Sequence, residues 1–211
     1  MKPFQHETLP GMQYYAHFVT AAQQQHLLHH INSHPAAWKR LNNRTLQNWG
    51  GLPHIKGMLQ TPLPPFLLPL VTQLTDARVF ATPPNHVLIN RYLPGQGIHP
   101  HVDGPAYKPV AAIISLQAPI LMHFYHTTQH GAVGQRAASM LLHPRSLLVL
   151  SQHVYHHMFH AIAETTVDHI DQLVLNATPD QIATTIPRQE RTSLTVRTSC
   201  RTIPNMLGRK R

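Results

Sequence analysis

The sequence predicts a mainly β chain, an antiparallel sandwich or barrel with helical elements at its N-terminal side. Three observations carry this. From Asn85 onward, short apolar and β-branched runs are separated by turn formers. One of them, RTSLTVR (residues 191–197), alternates polar and apolar side chains, as a strand with one buried face does. Upstream, helical signals stand at residues 20–32 and near Leu67–Leu74. At 211 residues and 42% hydrophobic, the chain is long enough for one domain with a substantial core. Residues 14–84 read as helices and a contact loop, 85–201 as the β core, and 202–211 as a basic tail.

The elements follow in order. Thr20 can cap a helix that runs to about Asn32, with Ala21, Leu27, Leu28 and Ile31 as its apolar stripe. His26, His29 and His30 lie in the same stretch and read as surface substitutions. The His26–His30 spacing would suit a metal on a helix face, but no carboxylate or third ligand accompanies it. Residues 33–66 hold Gly50-Gly51, Pro53, Pro62, Pro64 and Pro65, which predicts irregular structure. Within them LQNWGGLPH (46–54) is either a contact loop or a segment anchored by a buried Trp49. Strands are expected at HVLINRY (86–92), PVAAIISLQ (109–117), ILMHFYH (120–126), ASMLLH (138–143), SLLVLS (146–151), VYHHMF (154–159) and RTSLTVR. Two inserts interrupt them: a mobile loop at 127–138 and a weakly patterned, partly helical stretch at 161–190.

Charge narrows the partners. Lys and Arg total 17 against 8 acids, a formal charge of +9. Such a chain attracts polyanions, nucleic acid above all, although no basic run is interleaved with aromatics. The GRKR end (208–211) suits a phosphate contact, a nuclear address or a disordered tail. A single cysteine, Cys200, rules out an intramolecular disulfide and fits a reducing compartment, cytoplasm or nucleus. No apolar run approaches a membrane span, and MKPFQHETLPG lacks the apolar centre of a secretory signal. Membrane association is therefore not expected.

Among 19 histidines and five aspartates, His-x-Asp occurs twice, at His101–Asp103 and His169–Asp171. An iron site of the facial-triad type needs two imidazoles and one carboxylate, with open positions left for other ligands. His-x-Asp supplies two of the three from one strand end, and the third must come from a strand that folds back. No histidine follows His169, so that copy reads as a surface or loop pair. His101–Asp103 follows a strand and a turn and has many histidines downstream. Arg191, Ser193, Thr195 and Arg197 share one strand face, and Asn90 and Tyr92 share another. Two arginines on an inward face are costly unless an anion meets them, and a dicarboxylate would do so. The other reading is a pair of exposed arginines on an edge strand.

Asn90-x-Tyr92, His101-x-Asp103, a distal histidine and Arg191-x5-Arg197 stand in the order of the AlkB family of Fe(II)/2-oxoglutarate dioxygenases. LQNWGGLPH, NHVLINRYLPGQGIHPHVDGPAY, HPRSLLVLS and RTSLTVR resemble the branch of the sixth eukaryotic AlkB homologue most. The resemblance runs from about Tyr14 to Arg201. It implies a double-stranded β-helix, or jelly roll, with N-terminal helices outside. It implies Fe(II) on His101, Asp103 and His160, with 2-oxoglutarate and O2 as cosubstrates. His160 is favoured by its place in MFHAI, while strand parity alone leaves His156 open. Arg191 would meet the far carboxylate of 2-oxoglutarate, Arg197 the iron-proximal side with Asn90 and Tyr92, and Ser193 would assist. His99 is expected at the substrate mouth or on the surface. The family acts mostly on methylated bases in DNA or RNA, which makes Gln47, Asn48, Trp49 and Tyr107 candidate nucleotide contacts. The resulting expectation is a monomeric oxidative demethylase of nucleic acid. The rival readings are a nucleic-acid-binding protein with little turnover and a protein hydroxylase of the same chemistry.

Overall fold

The computed structural model describes residues 2–52, 54 and 56–203; the GRKR tail lies outside them. The N-terminal part holds β1 (Met12–Tyr15), α1 (Ala21–Asn32), β2 (Lys39–Arg40), β3 (Thr45–Trp49), β4 (Gly51–Leu52), β5 (Met58–Gln60) and α2 (Leu68–Asp76). Then come β6 (His86–Tyr92), β7 (Ile98–His101), β8 (Tyr107–Leu116), β9 (Ile120–Thr127), β10 (Val133–Leu142), β11 (Leu147–Ser151), α3 (Gln152–His157) and β12 (Met158–Ile162). The chain closes with β13 (Val167–His169), β14 (Thr185–Pro187), β15 (Arg191–Ser199) and β16 (Thr202–Ile203).

A large sheet in the order β1-β11-β8-β15-β6-β3-β2 faces a smaller one, β10-β9-β12-β7. This is a jelly roll, and side-chain parity builds its layers. On the large sheet Ile113, Leu148 and Leu150 point inward and pack with Ile120, Met122, Phe124 and Met140 of the small sheet. Their neighbours Ile114, Val149, Leu194 and Val196 point outward and are covered by Leu27 and Ile31 of α1 and by Leu70 and Leu74 of α2. The helix α1 starts where Thr20 accepts from Gln23 N and the Gln23 side chain returns to Thr20 N, a capping box. A third cluster, Leu121, Leu141, Ile170 and Val174, covers the outer face of the small sheet.

Several expectations change. Residues 14–84 are not only helices and a loop, because β1 and β3 are members of the large sheet. LQNW lies in β3, which pairs with β6 from Thr45↔Arg91 to Trp49↔Val87. Gly50 ends it with φ +92°, and a Cβ there would stand 2.0 Å from the Asn85 carbonyl oxygen. The expected mobile loop 127–138 is half strand: β10 begins at Val133. Register shifts around Arg136 break the alternation that would have announced it. VYHHMF is not one strand; α3 ends at His157 and β12 runs Met158–Ile162. The 161–190 insert is not helical beyond one short 3-10 turn, and folds as the β13–β14 hairpin that carries Ile170 and Val174.

That hairpin is fixed by a buried ion pair. Arg188 donates to both carboxylate oxygens of Asp168 at 2.5 and 2.7 Å, and both side chains are 2% exposed. Asp168 also accepts from Leu121 N of the small sheet. Removing one partner strands a buried charge. Arg188→Ala should therefore cost about 3–5 kcal/mol in denaturant unfolding, and the double change Asp168→Leu/Arg188→Leu should cost less than the single.

Candidate functional site

The site is built from two antiparallel pairs that face each other across the sandwich. In the large sheet β15 pairs with β6 in the register Arg191↔Tyr92, Ser193↔Asn90, Thr195↔Leu88 and Arg197↔His86. All eight side chains lie on the inward face, since directly opposed residues share a side. In the small sheet β12 pairs with β7, His160 opposite His101. Both pairs line one small cavity of about 50 Å³, whose remaining walls include Ile98, Ile113, Met122 and Ile162.

The two imidazoles meet, with ring centroids 4.3 Å apart. Burial pushes both below the ordinary histidine value, His160 to about 4, and the neighbouring His101 lowers His160 further. Neutral rings keep a lone pair for a metal. His101 Nδ1 lies 2.8 Å from the His99 carbonyl, to which it donates, leaving Nε2 as the free ligand atom. Asp103 is buried beside them and forms an ion pair with Arg197. Among the described residues no three His, Cys, Asp or Glu side chains are drawn together as a finished metal cluster. The Asp103 carboxylate accepts from Arg197 Nη1 through one oxygen. The donor set of two neutral imidazoles and one carboxylate still fits Fe(II) chemistry.

Arg191 is the unusual charge. It is 1% exposed, and its partners are the hydroxyls of Ser193 at 3.1 Å and Ser115 at 2.8 Å. Its Nε has no partner, and among the described residues no carboxylate is within ion-pairing distance. Burial lowers its pKa to about 10, so it remains charged at neutral pH. A buried, unpaired guanidinium facing a cavity is a carboxylate receptor in waiting.

Comparison with known proteins places this arrangement. Residues 7–197 match the model of the 2OG-Fe(II) oxygenase superfamily. The chain belongs to that superfamily. It is 36% identical over 202 residues to a Danio rerio protein named probable RNA/DNA demethylase ALKBH6, covering 90% of this chain and 86% of that one. A Xenopus tropicalis tRNA (carboxymethyluridine(34)-5-O)-methyltransferase, alkbh8, is 30% identical over 153 residues, 67% of this chain but 23% of that protein. The solved structure of OsALKBH1 superposes with a TM-score of 0.64 at 16% identity, covering 92% of this chain and all of that one. A Pseudomonas putida prolyl-4-hydroxylase superposes at 0.56 with 14% identity, covering 90% and 93%. The chain is thus an AlkB-family oxygenase dependent on Fe(II) and 2-oxoglutarate.

Within this oxygenase the remaining candidates separate. His156 lies on α3 against Tyr155 and His157, not on the strand that carries His160. His99 is at the surface. His169 is exposed, and Asp171 pairs with Arg136, away from the cavity. Gln47 is fully buried: its amide donates to the Ile31 carbonyl at 2.9 Å and its oxygen accepts from Trp49 Nε1 at 3.0 Å. Trp49 packs edge-on to Phe66 and His34 on the helix side of the sheet. These two anchor β3 to the helices, and Gln47, fully buried, is not free to meet a nucleotide; Trp49 is half-buried. Asn48 points the other way, inward, and contacts His86. Tyr107 lies under the Arg197 guanidinium at 3.9 Å.

Three site residues escaped the sequence reading. Ser115 holds Arg191 from β8. Arg44, from the turn before β3, donates to Asn90 at 3.1 Å. His86 lies opposite Arg197. The register Arg197↔His86 follows from the same alternation that revealed Asn90 and Tyr92, so His86 was within reach of the sequence; Ser115 and Arg44 depend on pairings that no local pattern encodes.

Burial also sets a pH response. Folded pKa values of about 4 for His160 and about 3 for His86 lie below the unfolded value of 6.5. The stability these neutral rings contribute is complete above about 6.5 and is lost as pH falls toward those values, at about 1.4 kcal/mol per pH unit per ring. The denaturant midpoint of the metal-free protein should fall between about pH 7 and about pH 5, and His160→Gln should flatten that fall.

Proposed function

We propose that this oxygenase oxidatively removes alkyl groups from nucleic-acid bases. The observation that carries the reading is Arg191, a buried cation with no carboxylate partner among the described residues, which faces the cavity shared with His101 and His160. His101, Asp103 and His160 would hold Fe(II), and Arg191, steadied by Ser115 and Ser193, would take the far carboxylate of 2-oxoglutarate. Tyr92 and Asn90 line the same wall, and Arg197 would support the end nearer the metal. Bound there, Fe(II) supplies the oxidation in which 2-oxoglutarate and O2 give succinate, CO2 and one hydroxylated C–H bond. On an N-methyl group the hydroxymethyl product leaves as formaldehyde. The protein's own part is to orient these groups and to exclude water with Ile98, Ile113, Met122 and Ile162.

Two features support nucleic acid as the substrate. The Danio rerio relative is named an RNA/DNA demethylase. The chain carries +9, and Lys39, Arg40 and Arg44 stand on the β2–β3 hairpin, where Arg40, Leu41, Asn42, Asn43, His99 and the acidic Glu164 line a surface cavity of about 550 Å³. A base would have to be single-stranded or extruded to enter.

Wild-type protein with Fe(II) and 2-oxoglutarate should release succinate and formaldehyde together on a methylated single-stranded oligonucleotide. Arg191→Ala should raise the 2-oxoglutarate KM by about tenfold or more, the loss of a charged hydrogen bond, and Asp103→Ala should abolish turnover. Succinate release coupled only to a peptide would replace the reading with a protein hydroxylase. Tight oligonucleotide binding with no succinate would replace it with a binding protein.

A further inference from the structure

The amide of Asn90 has two unlike ends, and an anion in the cavity can use only one of them. Asn90 is 5% exposed and lines the cavity shared by His101, His160 and Arg191. Its oxygen can only accept and its nitrogen can only donate. A carboxylate entering the cavity is an acceptor, so it needs the nitrogen. Which end is offered is settled on the other side of the amide. Arg44 Nε donates to Asn90 Oδ1 at 3.1 Å. A guanidinium has no acceptor, so a reversed amide would set N–H against N–H. With Oδ1 claimed, Nδ2–H2 is the end left to the cavity, and among the described residues it has no partner.

Arg44 belongs to the turn between β2 and β3, and it is held from several sides. Leu46 opposes Asn90 in register, and Arg44, two residues earlier, keeps to the same side. Its Nη1 donates to Asn43 Oδ1 at 3.2 Å, and Asn43 Nδ2 donates to Glu164 Oε1 at 3.1 Å. Gly97 N donates to the Asn43 carbonyl at 3.3 Å. Glu164 follows β12, the strand of His160, and Gly97 precedes β7, the strand of His101. The turn is thus tied to both strands that carry the histidines as well as to Asn90. Burial raises the pKa of the Tyr92 hydroxyl, and the charges of Arg191 and Arg44 oppose that rise, so the charge of Arg44 is felt along the same wall.

We infer that Arg44 is a positioning residue: by holding Asn90 Oδ1 it presents Asn90 Nδ2–H2 to a carboxylate of 2-oxoglutarate. The inference rests on the oxygenase site described above. Arg44 itself lies outside the lining of the cavity, so it acts through Asn90. Without the arginine the amide is free to turn, and a carbonyl oxygen in the cavity would repel the cosubstrate.

Calorimetry on the full chain with Mn(II) and then 2-oxoglutarate, without O2, tests this. Arg44→Leu should weaken 2-oxoglutarate binding about tenfold, or 1.4 kcal/mol, and leave Mn(II) binding unchanged. Arg44→Lys, which keeps a donor for Oδ1, should recover most of the loss. Asn90→Leu should weaken 2-oxoglutarate at least as much, and adding Arg44→Leu to it should cost nothing further. A direct contact between Arg44 and the cosubstrate would make the two losses add, and a purely structural role would weaken Mn(II) and 2-oxoglutarate alike; either result overturns the inference alone. So does a folded Arg44→Leu with wild-type affinity, or an Arg44→Lys no better than Arg44→Leu. If Arg44→Leu does not fold, Asn90→Asp decides. Its carboxylate still accepts from Arg44 but takes the donor out of the cavity, so a loss of tenfold or more supports the inference and wild-type affinity overturns it. A wild type that does not bind 2-oxoglutarate overturns the oxygenase reading and this inference with it.

Discussion

The fold is organised around a charge it does not neutralise. The inward faces hold Arg191 and Arg197, and the hairpin at residues 167–187 is closed by a third buried arginine, Arg188. Arg188 has Asp168 and Arg197 has Asp103, but among the described residues Arg191 has only hydroxyls. Hydroxyl dipoles soften the cost of a buried guanidinium without cancelling it. The β6–β15–β8 ladder holds Arg191 there: Ser193 comes from its own strand, Ser115 from one neighbour and Tyr92 from the other. Three strands thus hold one cation in place at the wall of the cavity.

The opposite wall obeys a complementary constraint. His101 and His160 are register partners on adjacent strands, so their rings converge by sheet geometry alone. Burial then keeps them neutral. Asp103 arrives just past the end of β7, where the chain has left the sheet, and its carboxylate is free of a ladder position. Two imidazoles fixed by the ladder thus stand beside a carboxylate that lies outside it. The carboxylate gives one oxygen to Arg197 Nη1.

The parts of this arrangement that were legible in the sequence are those governed by period two. RTSLTVR and HVLINRY are central strands with one face on the helices and one on the cavity, so alternation exposed Arg191, Arg197, Asn90 and Tyr92 directly. Alternation failed where the backbone is irregular. The bulges of β10 hid its first residues inside an apparent loop. VYHHMF looked like one strand, but Val154 and Tyr155 are buried in a helix only six residues long, and the strand begins at Met158. Parity therefore left His156 and His160 equal, and only the helix–strand break after His157 separates them. Gln47 misled for another reason. A polar residue beside a tryptophan and two glycines suggests a contact loop, whereas here it satisfies carbonyls at the end of α1.

The same segment shows why the N-terminal third cannot be treated as a cover laid over a finished core. Along β3 the side chains divide between two tasks: Gln47 and Trp49 fasten helices to the outer face, while Asn48 reaches inward to His86. Just before the strand, Arg44 holds Asn90. At its end, Gly50 lets the chain pass within van der Waals reach of Asn85, where any side chain would collide. One short strand thus couples helix packing to the inner wall of the cavity. A shift of β3 by a single residue would turn Asn48 outward and Gln47 and Trp49 inward, so the anchoring of α1 and the orientation of His86 stand or fall on one register.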